Sequence, residues 1–480
     1  MIRLFDTMTR ELRGLSPLDG EVFRFYCCGP TVYGPAHIGN FRTFVLQDVF
    51  RRTLELSGIK AYHVRNLTDV DDKTIRNSEA AGKSLKEFTD FWRDQFHEDC
   101  NKLNNLMPHL EPSAVEHIPH QIKMIEELVG KGNAYRSDDG SVYYKVSSFE
   151  DYGRLSRLDQ RELRDGASGV VTDDEYEKDS VADFALWKGR REEDGDNYWE
   201  SPWGQGRPGW HLECSAMCRE YLGDTFDLHS GGVDLVFPHH ENEIAQSEAC
   251  TGCEMAEHWF HLTHLLVDGG KMSKSAGNFY TLNHVIEAGF SSAELRYVLI
   301  SAHYRQSLNF VAKDKDGIEN FPALSAARQA LQRLAKFERS MQKVIGVDGD
   351  NGFEEAKKVG NLGTFAEALN ALREDLNTPD ALGRVFTAVK GLKAAAMTPE
   401  EAAVELAGFR VVMHALGIEL PQEETSHVEI PTKITEKAHA RWEAKQAKEW
   451  DEADRLREEL AAAGWEVKDT KEGFEICPKN

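Results

Sequence analysis

The stretch that most constrains the fold of this chain is residues 26–40, YCCGPTVYGPAHIGN. A β-rich run, residues 21–28, leads into it, and a helical pattern over residues 41–56 follows. A turn between a strand and a helix exposes the unpaired N–H groups of the helix start, and turns of this kind hold nucleotide phosphates. The stretch therefore predicts a phosphate site in an α/β fold.

The segments that follow predict a parallel sheet. Residues 60–67 form a second β-rich run, and the order strand, helix, strand predicts a right-handed parallel crossover. Ligands of such sheets bind at the carboxyl ends of the strands, where Cys28 and Thr68 fall. Further strands are expected at 225–229 and 258–267. The predicted fold class is α/β, a Rossmann-like parallel-sheet domain with an insertion, then an α-helical bundle and a small α+β C-terminal domain.

The predicted boundaries divide the chain into five parts. These are the Rossmann-like domain (1–120 and 206–260), a connective insertion (121–205), a junction that carries KMSKS (261–320), the helical bundle (321–418) and the C-terminal domain (433–480). Residues 417–432 are polar with two prolines and predict a linker. In the C-terminal domain, the spacing of Trp450, Ala453, Leu456 and Leu460 predicts a helix with Trp450 on its packed face.

Composition narrows the class of protein. The net charge of −24 opposes non-specific coating of nucleic acid, although an acidic body can still carry a basic groove. No apolar run reaches the roughly 20 residues that span a bilayer, and the N-terminal sequence MIRLFDTMTREL lacks the apolar core of a signal peptide. We expect a cytoplasmic protein without a membrane partner, and therefore no disulfides among its eight cysteines.

Four scattered residues offer a set of metal ligands. His239 and Glu243 are four apart on a predicted helix that Pro238 opens, so they share a face. Cys28 and Cys214 add two thiols, and zinc accepts all four donor types. Spacing alone leaves coincidence as the alternative.

The neighbours of these four residues are not predicted to bind the metal themselves. Cys27 and Cys218 are expected in the core. His240 and Glu241 lie off the face of His239, and they are expected either to support the metal ligands or to be structural. The Cys-x-x-Cys pair of residues 250–253 has no second pair nearby, so we do not expect it to bind metal.

Two motifs carry groups suited to phosphate. His37 can donate a hydrogen bond to a phosphate as charge builds in a transition state, or it can simply cap a helix. Lys271 and Lys274, in the sequence KMSKS, suit a triphosphate clamp. The alternative for these lysines is a solvated surface loop.

Taken together, these segments resemble class I aminoacyl-tRNA synthetases. Residues 37–40, HIGN, are similar to the HIGH motif of that family, with Asn40 where the general pattern has a second histidine, and residues 271–275 match KMSKS in full. The resemblance is greatest to the cysteine-specific synthetases and extends over nearly the whole chain. The stretches that carry it are 28–33 (CGPTVY), 66–73 (NLTDVDDK), 206–214 (GRPGWHLEC) and 237–245 (FPHHENEIA).

The resemblance implies an activity, a cofactor and partners. The activity is ATP-dependent attachment of L-cysteine to tRNA(Cys) through a cysteinyl-adenylate. The implied cofactors are one Zn²⁺ and the Mg²⁺ that accompanies ATP, and the implied partners are ATP, L-cysteine and tRNA(Cys), with the protein expected to be a monomer. Zinc would select the thiol of cysteine over the hydroxyl of serine, which a hydrophobic pocket separates only modestly.

The resemblance also assigns roles to residues. The zinc ligands are Cys28, Cys214, His239 and Glu243; the catalytic residues are His37, Asn40, Lys271 and Lys274; ATP is bound by His37, Gly39, Asn40 and Lys274; and the candidates for the amino-acid and adenylate pocket are Tyr33, Thr68, Trp210 and Asp234. The C-terminal domain would bind the anticodon, with Trp442, Trp450 or Trp465 available for base stacking.

Two rival functions share these motifs. A ligase could activate cysteine in the same way and pass it to a small amine such as an amino sugar, but such an enzyme does not need the long C-terminal extension. A non-catalytic zinc- and RNA-binding relative is the other rival, and the intact HIGN and KMSKS sequences weigh against it.

Overall fold

The computed structural model describes residues 1–158, 170–171, 183–272, 277–313, 317–346, 361–422, 432–469 and 473–478, and the chain divides into two compact units, Met1–Leu420 and Pro421–Asn480. The strands are β1 (Ile2–Asp6), β2 (Glu11–Leu15), β3 (Val22–Cys27), β4 (Lys60–Arg65), β5 (Ala134–Arg136), β6 (Val142–Tyr144), β7 (Val170–Val171), β8 (Asp183–Gly189), β9 (Gly206–Pro208), β10 (Leu228–Gly232), β11 (Trp259–Leu262), β12 (Leu265–Val267), β13 (Gly270–Lys271), β14 (Leu308–Phe310), β15 (Trp465–Asp469) and β16 (Phe474–Pro478). The α-helices are α1 (Ile38–Leu56), α2 (Asp72–Ala80), α3 (Leu85–Lys102), α4 (Ile118–Lys131), α5 (Trp210–Leu222), α6 (Glu241–Thr251), α7 (Leu282–Glu287), α8 (Ser292–Leu299), α9 (Pro322–Ile345), α10 (Ala366–Arg373), α11 (Thr378–Gly391), α12 (Pro399–Leu416), α13 (Thr432–Gln446) and α14 (Trp450–Ala462).

A four-stranded parallel sheet of order β11-β10-β3-β4 forms the centre of the larger unit, which confirms the predicted fold class. The chain runs from β3 through α1 to β4 on one side, and later returns to β10 on the other side of β3. The carboxyl ends of β3 and β10 are therefore a switch point, where open α/β sheets bind their ligands.

The alternation of side chains along β3 explains why two adjacent cysteines have different surroundings. Phe25 packs edge-on against Phe50 of α1 with ring centres 5.6 Å apart, and Cys27 is buried in the same core. Cys28 belongs to a second buried cluster together with Cys214. Because successive side chains of a strand point to opposite faces, Cys27 is a core residue, as predicted, and Cys28 faces the switch point.

The larger unit contains the antiparallel pair β1–β2 and two larger additional sheets. One has the order β5-β6-β8-β7, with β9 paired to β8, and it lies between β4 and β10 in the chain. The other has the order β13-β12-β14, and it carries Lys271 at its edge. Helices α9 to α12 follow as a helical region whose apolar faces belong to the same core as α1.

Buried ion pairs join α1 to the helices that follow. Asp48 of α1 accepts a hydrogen bond from Arg52 at 2.8 Å and another, short one from Arg296 of α8. Arg296 also donates to the main-chain carbonyl of Leu416, at the end of α12, at 2.8 Å. The carbonyl of Leu103 accepts a further hydrogen bond from this guanidinium, at 2.7 Å. One buried guanidinium therefore holds α1, α8 and α12 together.

The smaller unit consists of α13, α14 and the antiparallel hairpin β15–β16. Its core contains Ile434, Ala438, Leu460 and Val467. Trp450 is 57% exposed, so the expectation that its spacing places it on the packed face is wrong. It is the first residue of α14, and the packed face starts one turn later.

We expect Arg296→Met to lower the free energy of unfolding by about 3–5 kcal/mol, because it removes one of the two guanidinium partners of the buried Asp48 carboxylate and the donor to the carbonyls of Leu103 and Leu416. The measurement is urea unfolding of the full chain. Arg3→Ala is the control, since the Arg3–Glu374 pair is 46% and 53% exposed and is worth less than about 1 kcal/mol. Equal destabilisation by the two variants would contradict the structural role of Arg296.

Candidate functional site

The four residues predicted to bind metal come together in the structure. One ligand atom from each of Cys28, Cys214, His239 and Glu243 lies within 4.8 Å of all the others, and all four residues are buried. His239 Nε2 is 2.9 Å from Glu243 Oε1, and Cys28 Sγ is 3.9 Å from the same oxygen. The donor types are those that zinc accepts, and the two separations lie within about 0.5 Å of the roughly 3.4–3.8 Å between ligands of a tetrahedral zinc ion.

Each of these residues is contributed by a different element around the switch point. Cys28 directly follows β3, and Cys214 lies in the second turn of α5. His239 belongs to a wide helical turn, Val236–His240, that leads into α6, and Glu243 lies in the first turn of α6. Phe237, which precedes Pro238, is extended, as residues before proline commonly are.

The negative charges of the buried thiol and carboxylate groups favour a bound cation. Burial raises the pKa of the Cys28 thiol. Burial acts in the same direction on Cys214, but the hydrogen bond from Cys28 and the positive charge of His239 lower its pKa to about 6. For Glu243, burial is likewise outweighed, by the charges of His229 and His239, and its pKa is about 2. Two anionic ligands are thus present in a site closed to water.

The positive charge of His239 follows from the same contacts. Burial lowers the pKa of this imidazole, but the neighbouring carboxylate of Glu243 and the thiol of Cys214 raise it to about 10. In the absence of a metal, a proton on His239 therefore neutralises part of the group. Metal binding has to displace that proton, since only a neutral imidazole is a ligand.

Three further histidines contact the group, and sequence reasoning assigned two of them, His211 and His229, no role there. His211 Nδ1 lies 2.9 Å from His239 Nδ1, and His229 Nε2 lies 2.8 Å from Glu243 Oε2. His240 Nε2 lies 3.3 Å from Cys28 Sγ, which is the supporting position that the sequence offered for it as one of two alternatives. Partners of this kind orient metal ligands and fix their tautomers.

A hydrogen-bonded chain continues from these histidines into the sheet. His240 Nδ1 is 2.7 Å from His261 Nε2, and His261 Nδ1 is 2.8 Å from Thr7 Oγ1. The indole of Trp259 stacks on His229 with ring centres 4.8 Å apart. The four residues Cys28, His229, His240 and Glu243 also bring their ligand atoms within 4.8 Å of one another. No spacing in the sequence links His229 to the other three residues, because its donor comes from a separate strand.

The Cys-x-x-Cys pair lies apart from the group. Cys250 is buried, with Sγ 3.7 Å from the carbonyl oxygen of Met124, and Cys253 is exposed. Within the described part of the chain, neither residue belongs to a group that could hold a metal ion.

Thr68 belongs to a buried network that links the two cysteine-bearing segments. Its hydroxyl contacts Glu213 through a short hydrogen bond, and Asn66 Nδ2 donates to the same carboxylate at 3.2 Å. Asn66 Oδ1 accepts from the N–H of Gly29 at 2.7 Å. A Cβ atom at Gly29 would lie 1.7 Å from the carbonyl oxygen of Asn66, so the close contact that positions Cys28 requires glycine.

The predicted phosphate residues line a separate cavity of about 140 Å³. The side chain of His37 caps α1 by accepting from the N–H of Asn40 at 3.0 Å, and Asn40 Oδ1 accepts from the N–H of His37 at 3.1 Å. Gly39, Asp234 and Lys271 line the same cavity. Lys274 lies outside the described residues. His37 therefore caps α1 and also lines this cavity, so the two roles that the sequence offered for it as alternatives are compatible.

A larger cavity of about 560 Å³ lies next to Cys28, Cys214, His239 and Glu243, the four residues called the metal group below. Trp210 lines it, and the centre of its indole ring is 4.5 Å from that of His239. Lys73, which also lines it, places Nζ 5.4 Å from the centre of the Tyr33 ring. Of the four predicted pocket residues, Trp210 therefore lies at this cavity, Tyr33 beside it, Asp234 at the smaller cavity, and Thr68 in the buried network.

Comparisons with known proteins show the family to which the chain belongs. A family model described as the tRNA synthetases class I (C) catalytic domain matches residues 15–318. A cysteine–tRNA ligase of Opitutus terrae is 52% identical, over 99% of this chain and 99% of that protein. A cysteine–tRNA ligase of Protochlamydia amoebophila is 42% identical, over 99% of this chain and 97% of that protein.

The fold is also that of solved class I enzymes. A Mycobacterium tuberculosis methionyl-tRNA synthetase in complex with methionyl-adenylate matches with a TM-score of 0.55 and 13% identity, and the match covers 82% of this chain and 89% of that one. At this identity the likeness concerns the fold alone. Among the described helices, none has the length and apolar character to cross a membrane.

We expect Cys214→Ser to lose bound divalent metal, because a serine hydroxyl replaces a thiolate ligand. The measurement is metal content by elemental analysis of the purified protein. Cys218→Ser is the matched control: Cys218 is equally buried and one turn further along α5, but it lies outside the four-residue group. Full metal content in the Cys214 variant would reject this residue as a ligand.

Proposed function

The chain belongs to the cysteine–tRNA ligases of the class I tRNA synthetases, and from this membership we propose how its residues attach L-cysteine to tRNA(Cys) with ATP. The observation that carries the proposal is the position of both candidate sites at the ends of the same strands. His229 of β10 contacts Glu243, and His261 of β11 reaches Cys28 through His240. Gly232 and Leu262 of the same two strands line the 140 Å³ cavity.

The metal group selects the amino acid in this proposal. Cys28, Cys214, His239 and Glu243 would hold one zinc ion, which would bind the substrate thiol as a thiolate and a serine hydroxyl far less well. His211, His229 and His240 keep three of these ligands in place through their hydrogen bonds. Tyr33, Thr68, Trp210 and Asp234 form the rest of the amino-acid and adenylate pocket.

Activation of cysteine needs positioning and charge stabilisation, without a protein nucleophile. A carboxylate oxygen of cysteine attacks the α-phosphorus of ATP, the bond to the bridging oxygen breaks, and pyrophosphate leaves. His37, Gly39 and Asn40 contact the phosphates from the α1 side of the cavity, and Lys271 does so from the opposite side. Lys274 completes this set through the KMSKS motif, and Mg²⁺ would accompany ATP.

Transfer of cysteine completes the reaction. A ribose hydroxyl of the terminal adenosine of the tRNA attacks the carbonyl carbon of the adenylate, and AMP leaves as the ester forms. The unit that begins at Pro421 contains the segment proposed to bind the anticodon, residues 433–480. Within it, the 57% exposure of Trp450 supports this residue as a platform for base stacking.

The molecule that accepts cysteine distinguishes this function from transfer to a small amine. We expect the protein to charge a tRNA(Cys) transcript with radiolabelled cysteine and to leave an amino sugar unmodified under the same conditions. Serine in place of cysteine should give negligible charging, because a hydroxyl binds zinc poorly. Transfer to the amino sugar but not to the tRNA would establish the rival activity, and no cysteine-dependent ATP–pyrophosphate exchange at all would exclude both enzymes.

We expect Lys274→Ala to abolish ATP–pyrophosphate exchange while the zinc content stays unchanged, because the lost charge acts on the phosphates and not on the metal. Lys86→Ala is the control, since Lys86 is a solvent-exposed lysine of α3 paired with Asp90. Unimpaired exchange in the Lys274 variant would remove this lysine from the mechanism.

A further inference from the structure

Arg42 is a buried arginine of α1 that donates hydrogen bonds to four main-chain carbonyls and a longer one, at 3.4 Å, to the hydroxyl of Thr263. It is 1% exposed. Its Nη1 donates to the carbonyls of Thr263 at 2.7 Å and His264 at 2.9 Å, and its Nη2 donates to those of His303 at 3.1 Å and Gln306 at 2.7 Å. Burial lowers the pKa of this guanidinium to about 10, so it remains charged at neutral pH.

The four carbonyls belong to two chain segments that enter the sheet carrying Lys271. Residues 263–264 immediately precede β12, and residues 303–306 precede β14. Strands β12 and β14 pair in parallel, with Leu265 opposite Leu308, and β12 pairs with β13, which ends at Lys271. A single planar guanidinium therefore holds the starts of two parallel strands at once.

The same contacts join the two walls of the 140 Å³ cavity. One wall comes from α1 and its cap, with His37, Asn40 and Thr43, and a second wall comes from residues 262–265 and 271–272. Arg42 is adjacent to Thr43 on the first wall and bonds to Thr263 and His264 on the second. The length of the Arg42 side chain and the planar arrangement of its guanidinium donors set the distance between the two walls.

We propose that Arg42 is a positioning residue for the ATP step, and that it fixes the separation between the α1 wall, with His37 and Asn40, and the strand wall, with Lys271. The proposal rests on the function given above. It assigns Arg42 no contact with substrate, since the side chain is enclosed between the walls and does not line the cavity. A lysine keeps the charge at this position but is a point donor that cannot span both segments with a planar fork.

The test is Arg42→Lys, with kinetics for ATP and for cysteine measured separately by ATP–pyrophosphate exchange. We expect kcat/KM for ATP to fall by about tenfold or more, because misplaced groups lose transition-state contacts. We expect KM for cysteine and zinc content to stay within about twofold of the unmodified protein, since the metal group makes no contact with Arg42 through the hydrogen bonds described. Arg42→Met should show a larger effect in the same direction if it folds.

Arg296→Lys is the matched control. Arg296 is also 1% exposed and also bonds to main-chain carbonyls, but it joins α1 to α8 and α12 rather than to the cavity wall. We expect this variant to lower the melting temperature and to leave kcat/KM for ATP unchanged.

Three outcomes separate the explanations. An equal effect of Arg42→Lys and Arg296→Lys on ATP kinetics would overturn the proposal, and so would an equal loss for ATP and cysteine in the Arg42 variant. Unchanged ATP kinetics in a folded Arg42→Lys protein would overturn it as well. Absence of exchange in the unmodified protein would instead count against the proposed function.

Discussion

Two thiols, an imidazole and a carboxylate buried within 4.8 Å of one another are the constraint on which much of the surrounding structure depends. Bringing anionic ligands together away from water is unfavourable unless a cation or a proton compensates them. The proton of His239 supplies part of that compensation, since the neighbouring carboxylate and thiol raise its pKa to about 10. Burial holds the pKa of His211 and of His240 well below the usual value, so these two residues contribute hydrogen bonds rather than charge. The switch point of the sheet supplies the other requirement, a place where four distant segments can converge.

Local sequence patterns were sufficient for the elements nearest this site. The alternation of β3 placed Cys27 and Cys28 on opposite faces, and the glycine-rich stretch located the cap of α1, because both effects depend on neighbouring residues only. The convergence of Cys28, Cys214, His239 and Glu243 is a property of the tertiary fold. Spacing left it open, and only resemblance to a family brought the four together.

The supporting histidines could not be identified from the sequence. His229 and His261 lie in buried strands, and His211 lies in a buried turn of α5, so their sequence context is that of core residues. The prediction that Trp450 is buried was wrong for a different reason. Its spacing matched a packed face, but the first turn of α14 extends beyond the core. Periodicity predicts which residues share a face of a helix, and it does not determine how far the partner surface extends.

Helix α1 is a rigid element, so a rotation at one point along it displaces its end. It carries the His37 cap at one end, and Asp48 and Arg52 are bonded to neighbouring elements further along. At a rise of about 1.5 Å per residue, Asp48 lies about 17 Å along the axis from His37. A tilt of about 3° around Asp48 therefore moves the cap by about 1 Å, a displacement that can change a reaction rate about a hundredfold. Arg42, five residues from His37, restrains the end of the helix that carries the cap, whereas Arg52 and Arg296 bind at Asp48, where such a displacement is smallest.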